Sequence, residues 1–288
     1  MRRAAWMAVA QVIAFGLAMS SWMLGQQPEL KGAPPGSSGV DQLSKGSLAG
    51  EVLFAKVVER NLKREANLKY YSVSRHYCVQ DKNDHVQAEL DALVEYHAPD
   101  SKQFKVISQR GSLIVRRLVF GGLLDSETDA SKGQSHRDSS ITPANYLLGI
   151  VGEEEVDGYH CLVAKATPLR KDKYLFDGNV WVDATDFAIV KIVGKPAKNP
   201  SFWIKKVEFV RRYQKIGNLW VPLQDLSVSQ VRIVGKGTLT IDHHDYQILA
   251  IDGTKLPASG RGLKPVPPVA GIVRPDLRGE TAHAPVQP

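Results

Sequence analysis

The stretch from Tyr146 to Ile251 constrains the fold most, because it reads as one β-strand pattern after another with short turns between them. Apolar and β-branched residues alternate with polar ones, a period of two that is typical of half-buried strands. The strand patterns lie at 158–168, 173–183, 187–193, 202–213, 219–234 and 238–249. The pair Asp157-Gly158 and the segment Lys215-Ile-Gly-Asn218 are typical of tight hairpin turns. This half of the chain therefore predicts a large antiparallel sheet.

The region before it predicts three more strands, over 68–80, 86–96 and 103–109. In the second of them, Leu90, Val94 and Tyr96 alternate with Asp91 and Glu95. One face is therefore predicted to be buried and the other exposed to solvent, as in antiparallel sheets. Together the patterns predict a mainly β (α+β) fold with about ten strands in a single antiparallel sheet.

Two helices are predicted to cover a face of this sheet. The first carries apolar residues at steps of three and four, which places them on one side of a helix; they are Leu48, Val52, Ala55, Val58 and Leu62. The second is an apolar segment over 113–124, weakened by Gly121-Gly122 and followed by a polar loop over 125–140. We expect both helices to lie on the sheet face that contains Leu90, Val94, Tyr96 and Phe104.

Composition excludes some classes of function. The chain has 288 residues, 43% hydrophobic and 23% charged, and a net charge of +7 from 37 basic and 30 acidic residues. This is an ordinary globular composition. A nucleic-acid-binding protein needs a coherent basic face, usually on a recognisable module, and the sequence offers neither. No nucleic-acid partner is therefore expected.

The N-terminus is typical of an export signal. Met1-Arg-Arg3 precedes an apolar run over 4–24, and Ala18-Met-Ser20 provides small residues for cleavage. The sequence predicts a signal peptide over 1–24 and a periplasmic protein; an uncleaved inner-membrane anchor is the alternative, because about 20 apolar residues span a bilayer. A flexible linker over 25–46, one folded domain over 47–251 and a disordered Pro-rich tail over 252–288 complete the predicted organisation.

The order of these segments resembles a known family. A helix is followed by the strand Tyr70-Tyr-Ser-Val-Ser-Arg-His-Tyr77, then by an alternating strand that closes with Tyr96-His-Ala-Pro-Asp-Ser-Lys-Gln-Phe104, and later by Gly178-Asn-Val-Trp-Val-Asp183. From Ser47 to Ile251 the chain resembles the outer-membrane lipoprotein-sorting (LolA/LolB-like) superfamily. The resemblance implies a strongly curved sheet that forms an incomplete β-barrel, with helices on one side and an apolar cavity that takes acyl chains.

The resemblance also implies a function and its partners. It indicates a monomeric periplasmic carrier for lipid or lipoprotein acyl chains, which exchanges them with membrane-anchored donor and acceptor proteins. The alternative is an envelope-stress sensor of the same fold that binds a membrane-protein partner. An enzyme is not expected, since the sequence contains no nucleophile motif such as G-x-S-x-G and no H-E-x-x-H or P-loop pattern.

Five residues are candidates for the ligand site. Leu90, Val94, Tyr96 and Phe104 line the implied cavity if the alternating face points inward. If Arg75 also points inward, it binds a ligand carbonyl or headgroup, or holds a carbonyl of the covering helix. The alternative is that Arg75 lies on the outer face, as most arginines do.

Cysteine and histidine residues suggest no metal site. Two cysteines in an exported chain, Cys78 and Cys161, suggest a disulfide, with two free thiols as the alternative. His76 and His160 stand near them in sequence, but neighbouring residues of a strand point to opposite faces and do not share one ion easily. We expect neither a metal nor a cofactor.

Overall fold

The protein was analysed as a computed structural model, which describes residues 43–98, 101–121, 123–124, 127, 140–172, 174–199, 204–231 and 235–256. The predicted signal peptide, nearly all of the linker, most of the polar loop and most of the C-terminal tail lie outside the described residues. Within the described ranges, no helix has both the length and the apolar character that are needed to cross a membrane.

Helix α1 spans Leu43–Asn67, so it begins four residues before the predicted start of the folded domain at residue 47. The strands of the first group are β1 (Leu68–Gln80), β2 (Val86–His97) and β3 (Ser101–Gly111). A second helix follows, with one turn α2 (Leu113–Val115) and a π-helical turn over Arg116–Phe120. The remaining strands are β4 (Tyr146–Val156), β5 (Tyr159–Pro168), β6 (Phe176–Asp183), β7 (Ile189–Pro196), β8 (Ile204–Ile216), β9 (Leu219–Val231), β10 (Gly235–Ala250) and β11 (Lys255–Leu256).

All the strands belong to one antiparallel sheet in the order β3-β2-β1-β10-β9-β8-β7-β6-β5-β4, with β11 added beside β10. Two meanders, β1–β3 and β4–β10, are joined where β1 pairs with β10 along its whole length. The described pairings leave β3 and β4 at opposite edges, so the sheet is open. This arrangement confirms the predicted fold class: a mainly β protein with one large, unclosed antiparallel sheet and helices.

Two of the predicted hairpin turns are present. Asp157 and Gly158 both have positive φ, 54° and 82°, which is the conformation that a two-residue turn between β4 and β5 requires. Gly217 has φ 59° in the turn between β8 and β9. The register of the second meander is therefore determined by local turn chemistry that is visible in the sequence.

Helix α1 was predicted correctly, but its buried stripe was predicted only in part. Leu53, Phe54 and Val57 are buried and Val58 packs against the core, whereas Val52 and Ala55 are exposed. The reason is a close backbone contact: a Cβ on Gly50 would lie 2.3 Å from the carbonyl oxygen of Leu148 on β4. This contact sets the rotation of the helix, and positions three, four and seven residues after Gly50 then face the sheet.

The sheet region under α1 also differs from the expectation. The apolar residues of α1 belong to a core that is formed by β4–β9, and the side chain of Arg64 donates to the carbonyl oxygen of Trp220 on β9 at 3.0 Å. Helix α1 therefore runs from β4 to β9 and covers the second meander. The face that contains Leu90 is covered instead by the second helix.

Candidate functional site

The second helix, which we call the cover helix, lies over β1, β2 and β10. Its described residues are 113–121, 123, 124 and 127. Among these, the buried apolar side chains are Val115, Val119, Phe120 and Leu123. They pack on a sheet face built from Tyr77, Val79, Ala88, Leu90, Ala92, Leu239 and Ile241. The cover helix thus places an apolar stripe on an apolar patch of the sheet.

One position of this stripe is a carboxylate. Glu127 follows Val119 and Leu123 at steps of four residues, and its side chain is fully buried. Arg75 Nη1 on β1 donates to both carboxylate oxygens, at 2.8 and 2.9 Å. Lys102 Nζ on β3 donates to Oε1 of the same carboxylate. We call these three residues, Glu127, Arg75 and Lys102, the Glu127 clamp.

The clamp is charged. Burial opposes ionisation of Glu127, but the nearby charges of Arg75 and Lys102 outweigh burial and hold the pKa of Glu127 below its ordinary value. Burial also opposes the charge of Arg75, yet the Glu127 carboxylate raises the pKa of Arg75. The cover helix is therefore attached to the sheet by an ion pair without access to water, where each charge depends on its partner.

A second buried group of charges continues across the same sheet face. Asp225 on β9 accepts from Arg211 Nε on β8 and lies 2.9 Å from Nε2 of His243 on β10. Burial opposes ionisation of Asp225, but Arg211 and His243 lower its pKa well below the ordinary value. Arg75 stands directly opposite His243 in the β1–β10 register. The two groups form one charged row: Lys102, Glu127, Arg75, His243, Asp225 and Arg211.

The row makes stability depend on pH. Burial first, and then the charge of Arg75, lower the pKa of His243 below 6.5. As pH falls, the unfolded chain binds this proton before the folded protein does, so the free energy of unfolding decreases below about pH 6.5. The lowered pKa values of Glu127 and Asp225 act in a lower window, because their contribution is present above about pH 4 and is lost below it.

We therefore expect His243→Gln to reduce the slope of the unfolding free energy against pH between pH 6.5 and 5. The reduction is expected to be up to about 1.4 kcal/mol per pH unit. The measurement is urea denaturation at half-unit pH steps. His85→Gln, at an exposed turn position, is the matched control and should leave the slope unchanged. A slope that His243→Gln does not alter would show that His243 is not the group that titrates.

The structure places four of the predicted ligand-site residues on the inner face of β1 and β2. Leu90 and Val94 are 0% exposed, Tyr96 is 1% exposed and Arg75 is 2% exposed. Leu90 lies under the cover helix, whereas Val94 and Tyr96 belong to a neighbouring apolar cluster with Tyr246. Arg75 lies between these two groups and points inward, so the outward alternative for this arginine does not hold.

Phe104 on β3 joins the same region. Its ring is partly buried, with the Arg75 guanidinium 5.9 Å and the Lys102 ammonium 5.6 Å from the ring centroid. The electron-rich ring face attracts both cations. Of the four residues that were predicted for an apolar cavity, Phe104 therefore lies beside buried charges, whereas the other three lie in apolar clusters.

The disulfide suggested for Cys78 and Cys161 is not formed; both are free thiols. Cys78 lies on β1 and Cys161 on β5, with five strands between them, which corresponds to roughly 29 Å along the sheet. A disulfide needs Cα atoms within about 7 Å. Burial raises the pKa of both thiols, that of Cys161 to about 11, so neither is activated as a nucleophile.

A polar ladder lies on the outer face of the first meander. Asp91 accepts from Ser108 Oγ at 2.6 Å and lies 2.7 Å from Nδ1 of His76. A hydrolytic triad needs histidine between serine and carboxylate. Here the carboxylate stands in the middle, so no base faces the serine hydroxyl. Among the described residues, no three His, Cys, Asp or Glu side chains are grouped closely enough to bind a metal ion.

Sequence reasoning missed five members of the charged row: Lys102, Glu127, His243, Asp225 and Arg211. The sequence did contain part of the pattern that indicates buried charges. Arg211 alternates with Phe209 and Tyr213, and Glu127 continues the four-residue spacing of the cover helix. A charged residue at an inward position of an otherwise apolar pattern indicates a buried ion pair. The partner remained unknown, because these residues are separated in sequence by up to 141 positions, from Lys102 to His243.

Comparison with known proteins gives likenesses in solved structures. No protein-family model matches the chain, and no curated protein matches it. The chain is similar to a putative outer membrane lipoprotein-sorting protein domain from Vibrio parahaemolyticus, with 11% identity, 69% of this chain and 93% of that chain covered, and a TM-score of 0.38.

Two further solved structures show a comparable likeness. A LolA superfamily protein from Nitrosomonas europaea has 10% identity, covers 68% of this chain and 92% of its own, and has a TM-score of 0.33. A DUF1329 family protein from Desulfovibrio piger has 13% identity, the same coverage and a TM-score of 0.35. At these identities, the likenesses concern the fold alone.

Proposed function

We propose that this protein is a periplasmic carrier that binds an acyl chain on the sheet face that the cover helix occupies in the closed protein. The observation that carries the proposal is the way in which the cover helix is attached. Near its start, the backbone N–H of Ser112 donates to the carbonyl oxygen of Gln87 at 2.8 Å, and near its end stands the Glu127 clamp. Between these contacts, Val115, Val119 and Leu123 pack on the sheet through apolar contacts.

An acyl chain offers the same kind of contact as these side chains. If the clamp opens, the cover helix turns away about its first residues and exposes the apolar sheet patch around Leu90 and Tyr77. An alkyl chain then takes the place of the helix and loses its own contact with water. Each buried methylene contributes about 0.8 kcal/mol. Leu90, Val94, Tyr96 and Phe104 are accordingly proposed to contact the bound chain, with Arg75 at its polar end.

The experiment is equilibrium binding of a series of saturated chains to the purified protein, followed by displacement of a fluorescent fatty-acid probe. We expect the dissociation constant to fall about fourfold for each added methylene, which is the equivalent of 0.8 kcal/mol. Native mass spectrometry of the gently purified protein should detect copurified lipid. Absence of probe binding, or affinity that is independent of chain length, would contradict the carrier proposal.

A matched pair of variants on one strand locates the bound chain. Leu90 faces the cover helix, whereas Leu93 lies on the opposite face of β2 and is half-buried. We expect Leu90→Ala to weaken probe binding about tenfold, through loss of roughly 1–2 kcal/mol of apolar contact, and Leu93→Ala to leave it unchanged. Equal effects of the two substitutions would place the chain elsewhere.

The sensor alternative stays a prediction, because no feature in the described part of the chain favours it over a carrier. Membrane-anchored donor and acceptor proteins, a monomeric state and periplasmic location likewise belong to the proposal.

A further inference from the structure

Two buried cations share one carboxylate under the cover helix. The side chains of Arg75 and Lys102 are each 2% exposed, and both donate to Glu127, which comes from the cover helix itself. When the helix moves away to admit a ligand, Glu127 moves with it. Arg75 and Lys102 then lose their shared counter-charge while they remain beside apolar side chains, an arrangement that is strongly unfavourable. A ligand with a neutral polar end does not relieve it.

The rest of the charged row does not supply a replacement. Asp225 is already engaged by Arg211 and His243. With His243 neutral, the row contains three cations, Lys102, Arg75 and Arg211, and two carboxylates, Glu127 and Asp225. Without Glu127, three cations face one carboxylate, so the row attracts an anion.

One buried atom of the clamp strengthens this attraction. Nε of Arg75 has no hydrogen-bond partner among the described residues. The Arg75 side chain is almost completely buried, and its guanidinium donates in all conditions. A carboxylate ligand placed at Arg75 therefore meets a further hydrogen-bond donor.

We propose that the ligand is a single-chain carboxylic acid of the fatty-acid class, whose carboxylate takes the place of Glu127 on Arg75 and Lys102. The inference rests on the carrier function proposed above and narrows its ligand to free acids rather than chains linked through an ester or amide. Glu127 acts as the internal substitute for the ligand: it occupies the cations in the closed protein and is exchanged for an external carboxylate when the cover helix opens.

The experiment compares the affinities of decanoate and methyl decanoate at pH 8. Each ligand displaces a neutral fluorescent alkyl probe from the protein, at concentrations below those at which the ligand self-associates. The two ligands have the same alkyl chain and differ only in the charge of the polar end. We expect decanoate to bind at least 30-fold more tightly. Equal affinities would overturn the inference and leave the carrier function standing, whereas failure of both ligands and of the probe to bind would overturn both.

A matched pair of lysine variants tests the assignment of the site. Lys102 is buried in the clamp, and Lys105 is exposed on the same strand. Lys102→Met leaves Glu127 paired one-to-one with Arg75, so the variant is expected to fold, which near-ultraviolet circular dichroism checks. We expect the preference for the acid over the ester to decrease about tenfold in this variant. Lys105→Met should retain the full preference; an equal loss in both variants would contradict the site.

Discussion

Asp225→Leu is expected to lower the free energy of unfolding by about 3–5 kcal/mol, because it removes the carboxylate that neutralises Arg211 inside the sheet. The Arg211 side chain is 1% exposed, so water cannot replace the lost counter-charge. A remaining hydrogen bond with Tyr213 does not neutralise the guanidinium. The measurement is urea denaturation at pH 7.5, where His243 is neutral.

Two further variants make the interpretation specific. Asp177→Leu also removes a paired carboxylate, but one on the outer surface, where its partners are Lys165 and Lys195. We expect it to cost no more than about 1 kcal/mol. Replacing both partners, with Asp225→Leu and Arg211→Met together, should restore most of the lost stability, since no buried charge is then left without its partner. A loss below about 1 kcal/mol for Asp225→Leu alone would show that Arg211 finds solvent or another anion.

Glu127→Gln is expected to tighten the binding of decanoate at least tenfold, because it removes the internal carboxylate that competes for Arg75 and Lys102. The amide keeps the shape of the side chain but not the charge, so the closed position of the cover helix becomes less favourable. Breaking a buried ion pair costs about 3–5 kcal/mol, and part of this cost then lowers the free energy of unfolding of the ligand-free protein. Each 1.4 kcal/mol of this cost that ligand binding relieves corresponds to a tenfold gain in affinity.

Glu89→Gln is the matched control for this substitution. Glu89 also lies near two basic side chains, 3.6 Å from His76 and 3.7 Å from Arg110, but on the outer face of β2. We expect its decanoate affinity to equal that of the unmodified protein. If Glu127→Gln binds decanoate no more tightly than Glu89→Gln does, the clamp does not control access to the sheet.

The sheet was largely predictable from the sequence, because alternation and turn chemistry are local. The pattern around Leu90, Val94 and Tyr96 indicated one buried face, and Asp157-Gly158 indicated a hairpin, as the structure has them. The second predicted helix covers that face around Leu90, as expected, but the position of α1 was not predictable. The rotation of α1 depends on the contact of Gly50 with Leu148, which are 98 positions apart in sequence.

The candidate site was predictable only in part, for the same reason. Arg75 was recognised as a possible inward arginine, but its direction depended on Glu127, 52 positions later. A buried charge is stable only beside its partner, and the sequence does not state which distant residues become neighbours. The apolar candidates could be found from a local pattern, whereas the charged row requires the order of the strands.

The most direct test of a detachable cover helix is amide hydrogen exchange of the unmodified protein, measured by mass spectrometry with and without saturating decanoate. If the acyl chain takes the place of the helix, peptides from 113–121 exchange faster when decanoate is bound, because they lose their contact with the sheet. Peptides from 53–64 of helix α1, which covers the other meander, should exchange at an unchanged rate. Unchanged or slower exchange over 113–121 in the decanoate-saturated protein would contradict the account.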